Sequence, residues 1–209
     1  MSASSPSRIM IAVPQGIETF FIRPDVPGQR LTDEEFEQFC AENPEMRIEM
    51  TKEGEMIIML PVVTKGGNRN LILSQRVANW AEADGSGIAF DSSTGYTLPN
   101  GAKRSPDVSW IRLARWEALT EEEQNEFAPI CPDFAVELRS KSDRLKPLQE
   151  KMEEYILNGA ELGWLIDPIE KQVHVYRPDL PIQVLDRPTE LSGEPLLKGF
   201  LLRLAGIID

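Results

Sequence analysis

Three side chains far apart in the chain have the types and surroundings for metal-assisted hydrolysis. The segment Phe134-Ala135-Val136-Glu137-Leu138 alternates as a strand does, so Phe134, Val136 and Leu138 share one side while Ala135, Glu137 and Arg139 share the other. An ionised carboxylate in so apolar a strand is costly unless it is paired or bound to a metal; the alternative is an edge strand with a wet outer face. A second acid, Asp107, follows Pro106 where Val108-Ser109-Trp110-Ile111 begins another strand, and alone it reads as a turn aspartate. If the Asp107 and Glu137 strands are neighbours, the two carboxylates meet at one end of a sheet, repel each other and need a cation. Oxygen-only ligands then favour Mg²⁺. The third residue, Lys151, lies at the rim of the stripe Leu148, Met152, Tyr155 and Ile156 on a helix expected from Lys146 to Asn158. It either snorkels to solvent or reaches over the sheet towards the acids, because this helix directly follows the Glu137 strand.

The elements that must position these groups can be read from pattern. Leu31 to Ala41 reads as a first helix, with capping-box spacing between Thr32 and Glu35. A hairpin follows, Arg47 to Met50 and Met56 to Leu60, turning at Lys52-Glu53-Gly54. A second helix is expected after Gly66-Gly67, ending near Asp84 to Gly87. Then come strands Ile88 to Ser92 and Asp107 to Ile111, the latter reached through an Asn100-Gly101 turn, and a short acidic helix with Thr120 and Glu123 at capping-box spacing. After the Lys151 helix, Gly163 to Asp167 and Val173 to Tyr176 form a second hairpin, and Phe200 to Leu204 a last strand. With no repeat and no long linker, this order predicts an α/β (α+β) fold: a mixed β-sheet flanked by helices. Residues 1–8 are expected to be disordered, with Ser, Ala and Pro prominent, and residues 9–209 to form a single domain.

Composition narrows the chemistry. The 209 residues include two cysteines, Cys40 and Cys131, and one histidine, His174, too few for a four-ligand zinc site. Any metal must be held by oxygen, which means Mg²⁺, Mn²⁺ or Ca²⁺. His174 sits in the alternating run Gln172 to Tyr176 and is expected on an outward or edge face rather than as a catalytic base. The formal charge of −12 argues against a protein that coats nucleic acid through bulk electrostatics. Local cations remain available around the acids: Lys103, Arg104, Arg139, Lys141, Arg144 and Lys146. The apolar run Ile9 to Val13 is too short for a membrane span or a signal-peptide core, so a soluble cytoplasmic protein is expected.

Several of these segments together resemble the Uma-type family of endonucleases, numerous in cyanobacteria and related to restriction enzymes of the PD-(D/E)XK fold. The matching stretches are SPDVSWI from Ser105, PDFAVELRSKSD from Pro132, KMEEYILNGAELGWLIDP from Lys151 and VHVYRP from Val173. Weaker matches are LTDEEF from Leu31 and RIEMTKEGEMIIM from Arg47. The resemblance implies that Asp107 and Glu137 hold Mg²⁺ (or Mn²⁺) with the backbone carbonyl of Leu138, and that Glu49 adds a ligand directly or through water. The third motif position, usually lysine, falls on Arg139, which stays protonated and cannot readily accept a proton; the implied lysine is Lys151 on the following helix. Where the family often carries a histidine near a Gly-Gly loop, this chain has Asn68 and Asn70. The implied reaction is hydrolysis of a phosphodiester, with DNA as substrate and a homodimer as a possible assembly. Two alternatives stand beside it: a catalytically weak member that binds nucleic acid or a protein partner, and a small-molecule enzyme using the same acidic pocket.

Overall fold

The computed structural model describes residues 19–22, 30–44, 46–59 and 63–209, of which Thr19 to Phe21 are described by their backbone alone; the expectation for residues 1–8 lies outside them. In chain order the elements are β1 (Thr19–Ile22), α1 (Asp33–Glu42), β2 (Arg47–Met50), β3 (Met56–Met59), α2 (Thr64–Asp84), β4 (Gly87–Asp91), β5 (Tyr96–Thr97), β6 (Lys103–Arg104), β7 (Val108–Arg112), α3 (Leu113–Trp116), α4 (Glu121–Gln124), β8 (Phe134–Leu138), α5 (Leu145–Leu157), β9 (Leu162–Asp167), β10 (Gln172–Tyr176), β11 (Gln183–Asp186), β12 (Glu190–Ser192) and β13 (Leu201–Arg203). Both capping boxes form: Thr32 closes on Glu35 at the start of α1, and Thr120 on Glu123 at the start of α4. Each satisfies two backbone donors that a helix N-terminus otherwise leaves without partners.

The principal sheet runs β11-β10-β9-β8-β7-β4, and a second sheet runs β1-β3-β2-β6-β5. Within the principal sheet β8 and β9 are parallel, joined by α5 as a crossover, and the other pairs are antiparallel. This is the mixed α/β architecture expected from the order of elements. One face of the sheet carries Val108, Trp110, Phe134, Val136, Trp164 and Ile166, which pack with Leu73, Val77 and Ala81 of α2 and with the C-terminal segment. The opposite face carries Ile111, Ala135, Leu165 and Tyr176, covered by Met152 and Tyr155 of α5. Burying each such aliphatic or phenylalanine side chain contributes about 1.5–3 kcal/mol, so α5 is held firmly over the face from which Glu137 projects.

Three expectations are corrected. His174 is neither outward nor at an edge. Strand β11 pairs beyond β10 with His174 opposite Val184, and the imidazole is buried with no partner for Nε2 among the described residues. Gly66 and Gly67 are not a loop: α2 begins at Thr64, and the Gly67 amide donates to the Val63 carbonyl in its first turn. Asn68 and Asn70 therefore lie on a helix. Strand β8 is interior, between β7 and β9, so Glu137 cannot have a wet outer face.

Candidate functional site

The antiparallel register pairs Val108 with Val136, and continuing it sets Asp107 across from Glu137 at one end of β7 and β8. The hairpin β2–β3 delivers a third carboxylate, because β2 pairs with β6 through Met50 and Lys103. Glu49 is 1% exposed and Glu137 4% exposed, so both must be compensated inside the protein. Lys151 does much of this. Its Nζ lies 2.7 Å from Glu49 Oε1, 2.7 Å from Glu137 Oε1 and 3.4 Å from the Ser105 carbonyl oxygen, which accounts for all three ammonium protons.

The two glutamates are not equally served. Glu49 also meets Arg104 Nη1 at 3.3 Å and accepts from the Ser105 amide at 3.0 Å, with Arg47 4.0 Å away. Burial pushes its carboxyl up, but Lys151, Arg104 and Arg47 outweigh this and hold it down at about 2. Among the described residues Glu137 has the shared Lys151 and the Tyr155 hydroxyl, which donates to Oε1 at 3.1 Å. Burial pushes Glu137 up to about 7, against the pull of Lys151 and with the help of the Asp107 and Glu49 charges. Tyr155 is driven well above its ordinary value by burial and by the Glu137 and Glu49 charges, so it remains a donor. Asp107 is fixed on both oxygens: Oδ1 receives Arg47 Nη1 at 2.9 Å, and Oδ2 accepts from the Leu138 amide at 2.8 Å. Arg104 bridges outward to Glu154 at 2.5 Å.

The sequence-derived residues Glu49, Asp107, Glu137, Leu138 and Lys151 thus converge, with Leu138 entering through its amide. Arg139 does not join them; its guanidinium is turned to buried Asp167 at 2.6 Å. Three participants were missed: Arg47, Arg104 and Tyr155. Two were within reach of pattern alone, since Arg47 shares a strand face with Glu49 two residues on, and Tyr155 shares a helix face with Lys151 four residues before it. Arg104 had been noted only as one of six nearby cations.

The donor set suits a hard divalent ion in type: carboxylate oxygens, one of whose carboxyls is pushed up to about 7 by burial first and by the neighbouring Asp107 and Glu49 charges second. Among the described residues no three acidic, histidine or cysteine side chains stand close enough to form a complete ligand cage, and Arg47 holds one oxygen of Asp107. The groups therefore fit an ion bound by few protein ligands together with water, as Mg²⁺ usually is.

Among known proteins, the Uma2 family model, described as "Putative restriction endonuclease", matches residues 33–205. A crystal structure from Anabaena variabilis ATCC 29413, described as "a putative nuclease belonging to DUF820", superposes with a TM-score of 0.68 at 25% identity, covering 85% of this chain and 97% of that one. No curated protein matches. No helix among the described residues is long and apolar enough to cross a membrane.

Proposed function

The chain belongs to the Uma2 family, and on that premise we propose that it is a divalent-metal-dependent endonuclease that hydrolyses phosphodiester bonds in DNA. The observation that carries this reading is the Lys151 ammonium seated between Glu137 and Glu49, 2.7 Å from each, with Asp107 opposite Glu137. In this reading Asp107 and Glu137, with the Leu138 carbonyl, would hold Mg²⁺ or Mn²⁺, and Glu49 would contribute directly or through water. When bound, the metal would lower the pKa of a coordinated water and neutralise phosphate charge.

The chain's own groups do the rest. Glu137 would serve the ion in its ionised form, and the Tyr155 hydroxyl keeps that carboxylate oriented by donating to Oε1. Lys151, seated between Glu49 and Glu137, is placed to orient the attacking water and to stabilise the added negative charge of the transition state. The Leu138 amide holds Asp107 in place through Oδ2. Arg139 serves the fold through Asp167 and takes no part in the chemistry. The exposed cations Lys141, Arg144 and Lys146 lie on the segment linking Glu137 to Lys151 and are suited to backbone phosphates. Cutting both strands of a duplex calls for two sites, which a homodimer would supply.

The test is plasmid cleavage in Mg²⁺ or Mn²⁺ by the wild type and by Lys151→Ala. The reading requires metal-dependent nicking that the substitution removes. Retained DNA binding with no cleavage under either ion would establish the catalytically weak binding module instead.

A further inference from the structure

The three cations at the site differ in how they are held. Side-chain exposure is 8% for Arg104 and 10% for Lys151, but 26% for Arg47. Arg47 is thus the most accessible of the three, though still largely enclosed. Its Nη1 is 2.9 Å from Asp107 Oδ1, its Nη2 bonds to the Ser105 carbonyl, and Nη2 also lies 4.0 Å from Glu49 Oε1. The fit is incomplete, because the buried Nε has no hydrogen-bond partner among the described residues and its N–H is left unsatisfied. Asp107, by contrast, keeps an anchor independent of Arg47, the Leu138 amide on Oδ2 at 2.8 Å. Removing the guanidinium would leave that carboxylate in position with its outer oxygen free.

We infer that Arg47 is the resident counter-ion of Asp107, and that the divalent metal and Arg47 compete for the same carboxylate oxygen. The inference rests on the metal-dependent reading above and adds a regulatory element to it. Without the ion, Arg47 neutralises Asp107, as Lys151 and Arg104 neutralise the glutamates. With the ion, two cations at one oxygen repel each other, and the guanidinium, the more accessible of the two to solvent, gives way. Arginine stays charged across the working pH range, so it cannot yield by losing a proton and must yield by moving. Apparent metal affinity is therefore set partly by how firmly Arg47 holds Asp107.

Direct Mn²⁺ binding, followed through the electron paramagnetic resonance of the free ion at pH 8, tests this without reference to cleavage. Arg47→Gln is expected to bind Mn²⁺ about tenfold more tightly than the wild type, the effect of removing one competing charge-assisted bond. Arg47→Lys should fall between, and Asp107→Asn should lose binding. Equal or weaker binding by Arg47→Gln, with Asp107→Asn still defective, would overturn the competition and leave the metal site standing. No Mn²⁺ binding by any form, or full binding by Asp107→Asn, would overturn the metal reading and this inference with it. Should the Arg47 variants fail to fold, the wild type answers alone. Its Arg47 Nε–H resonance, assigned by nitrogen-15 labelling, should move towards that of a solvent-exposed arginine on titration with Mg²⁺. Saturation with Mg²⁺ and an unmoved Arg47 resonance would contradict the inference.

Discussion

The two ends of β8 treat a buried carboxylate in opposite ways. Just before the strand, Asp133 is 1% exposed and surrounded. It accepts from the Arg112 amide at 2.9 Å, pairs with the Arg112 guanidinium and meets Arg115 at 3.0 Å. Arg112 in turn reaches Glu161 at 2.5 Å, and that hydrogen bond holds the Glu161 carboxyl below its ordinary value. Four residues on, Glu137 is almost as deeply buried but shares its one ammonium with Glu49 and has Asp107 nearby. The first acid has more positive partners than it needs and ties β7, α3 and β9 together. The second has fewer, and it is pushed up to about 7. A saturated carboxylate serves the fold, whereas an undersupplied one is prepared to exchange its proton for a cation.

The contrast predicts a division of effects. Lys151→Ala should lower metal-dependent cleavage by about 10²–10³-fold or more, the scale of losing a group aimed at transition-state charge. Asp133→Ala should leave the cleavage rate per folded molecule near that of the wild type. Comparable rates for Lys151→Ala and wild type would erase the distinction. Stability should divide the other way: Asp133→Ala, which removes the acceptor of the Arg112 amide and of two part-exposed arginines, should cost about 1–3 kcal/mol in urea denaturation.

Much of this arrangement is legible in the chain, and the illegible parts share a cause. The alternation in Phe134 to Leu138 places Glu137 and Arg139 on one face, and helical spacing puts Lys151 beside Leu148 and Tyr155. Both capping boxes form at Thr32 and Thr120. These are local regularities, determined within a few residues. What local pattern cannot convey is which strand lies beside which. The single pairing of Met50 with Lys103 brings Arg47 and Glu49 to the acids, and β11 adds itself beyond His174. Nor does local pattern show that Arg139, at the motif position, is taken up by Asp167 of β9, 2.6 Å away.

The pH dependence sharpens the comparison further. With Glu137 titrating at about 7, cleavage that needs its ionised form should fall about tenfold for each pH unit below that value. A profile flat down to pH 5 would remove Glu137 as the titrating ligand. Stability has its own sign. Above 4.5 the unfolded chain has released this proton, while the folded chain holds it until about 7, so the site's contribution to stability declines as pH rises through that window. Glu137→Gln should lack the decline and gain on the wild type by about 1–3 kcal/mol between pH 4.5 and 7. Glu49, held at about 2, behaves oppositely: its stabilisation is present above 4.5 and is lost as pH falls towards 2. The smallest effect belongs to Tyr155→Phe, which removes a donor that favours ionised Glu137 and should raise the midpoint of the cleavage profile by about half a pH unit.

Whether Asp107 and Glu137 share a divalent ion can be seen by anomalous diffraction from crystals equilibrated with Mn²⁺. An anomalous peak is expected in contact with both carboxylates, with Lys151 nearby and Arg47 withdrawn from Asp107. A peak elsewhere in the molecule, or clear density with Arg47 still bound to Asp107 and no ion beside Glu137 at saturating Mn²⁺, would contradict it.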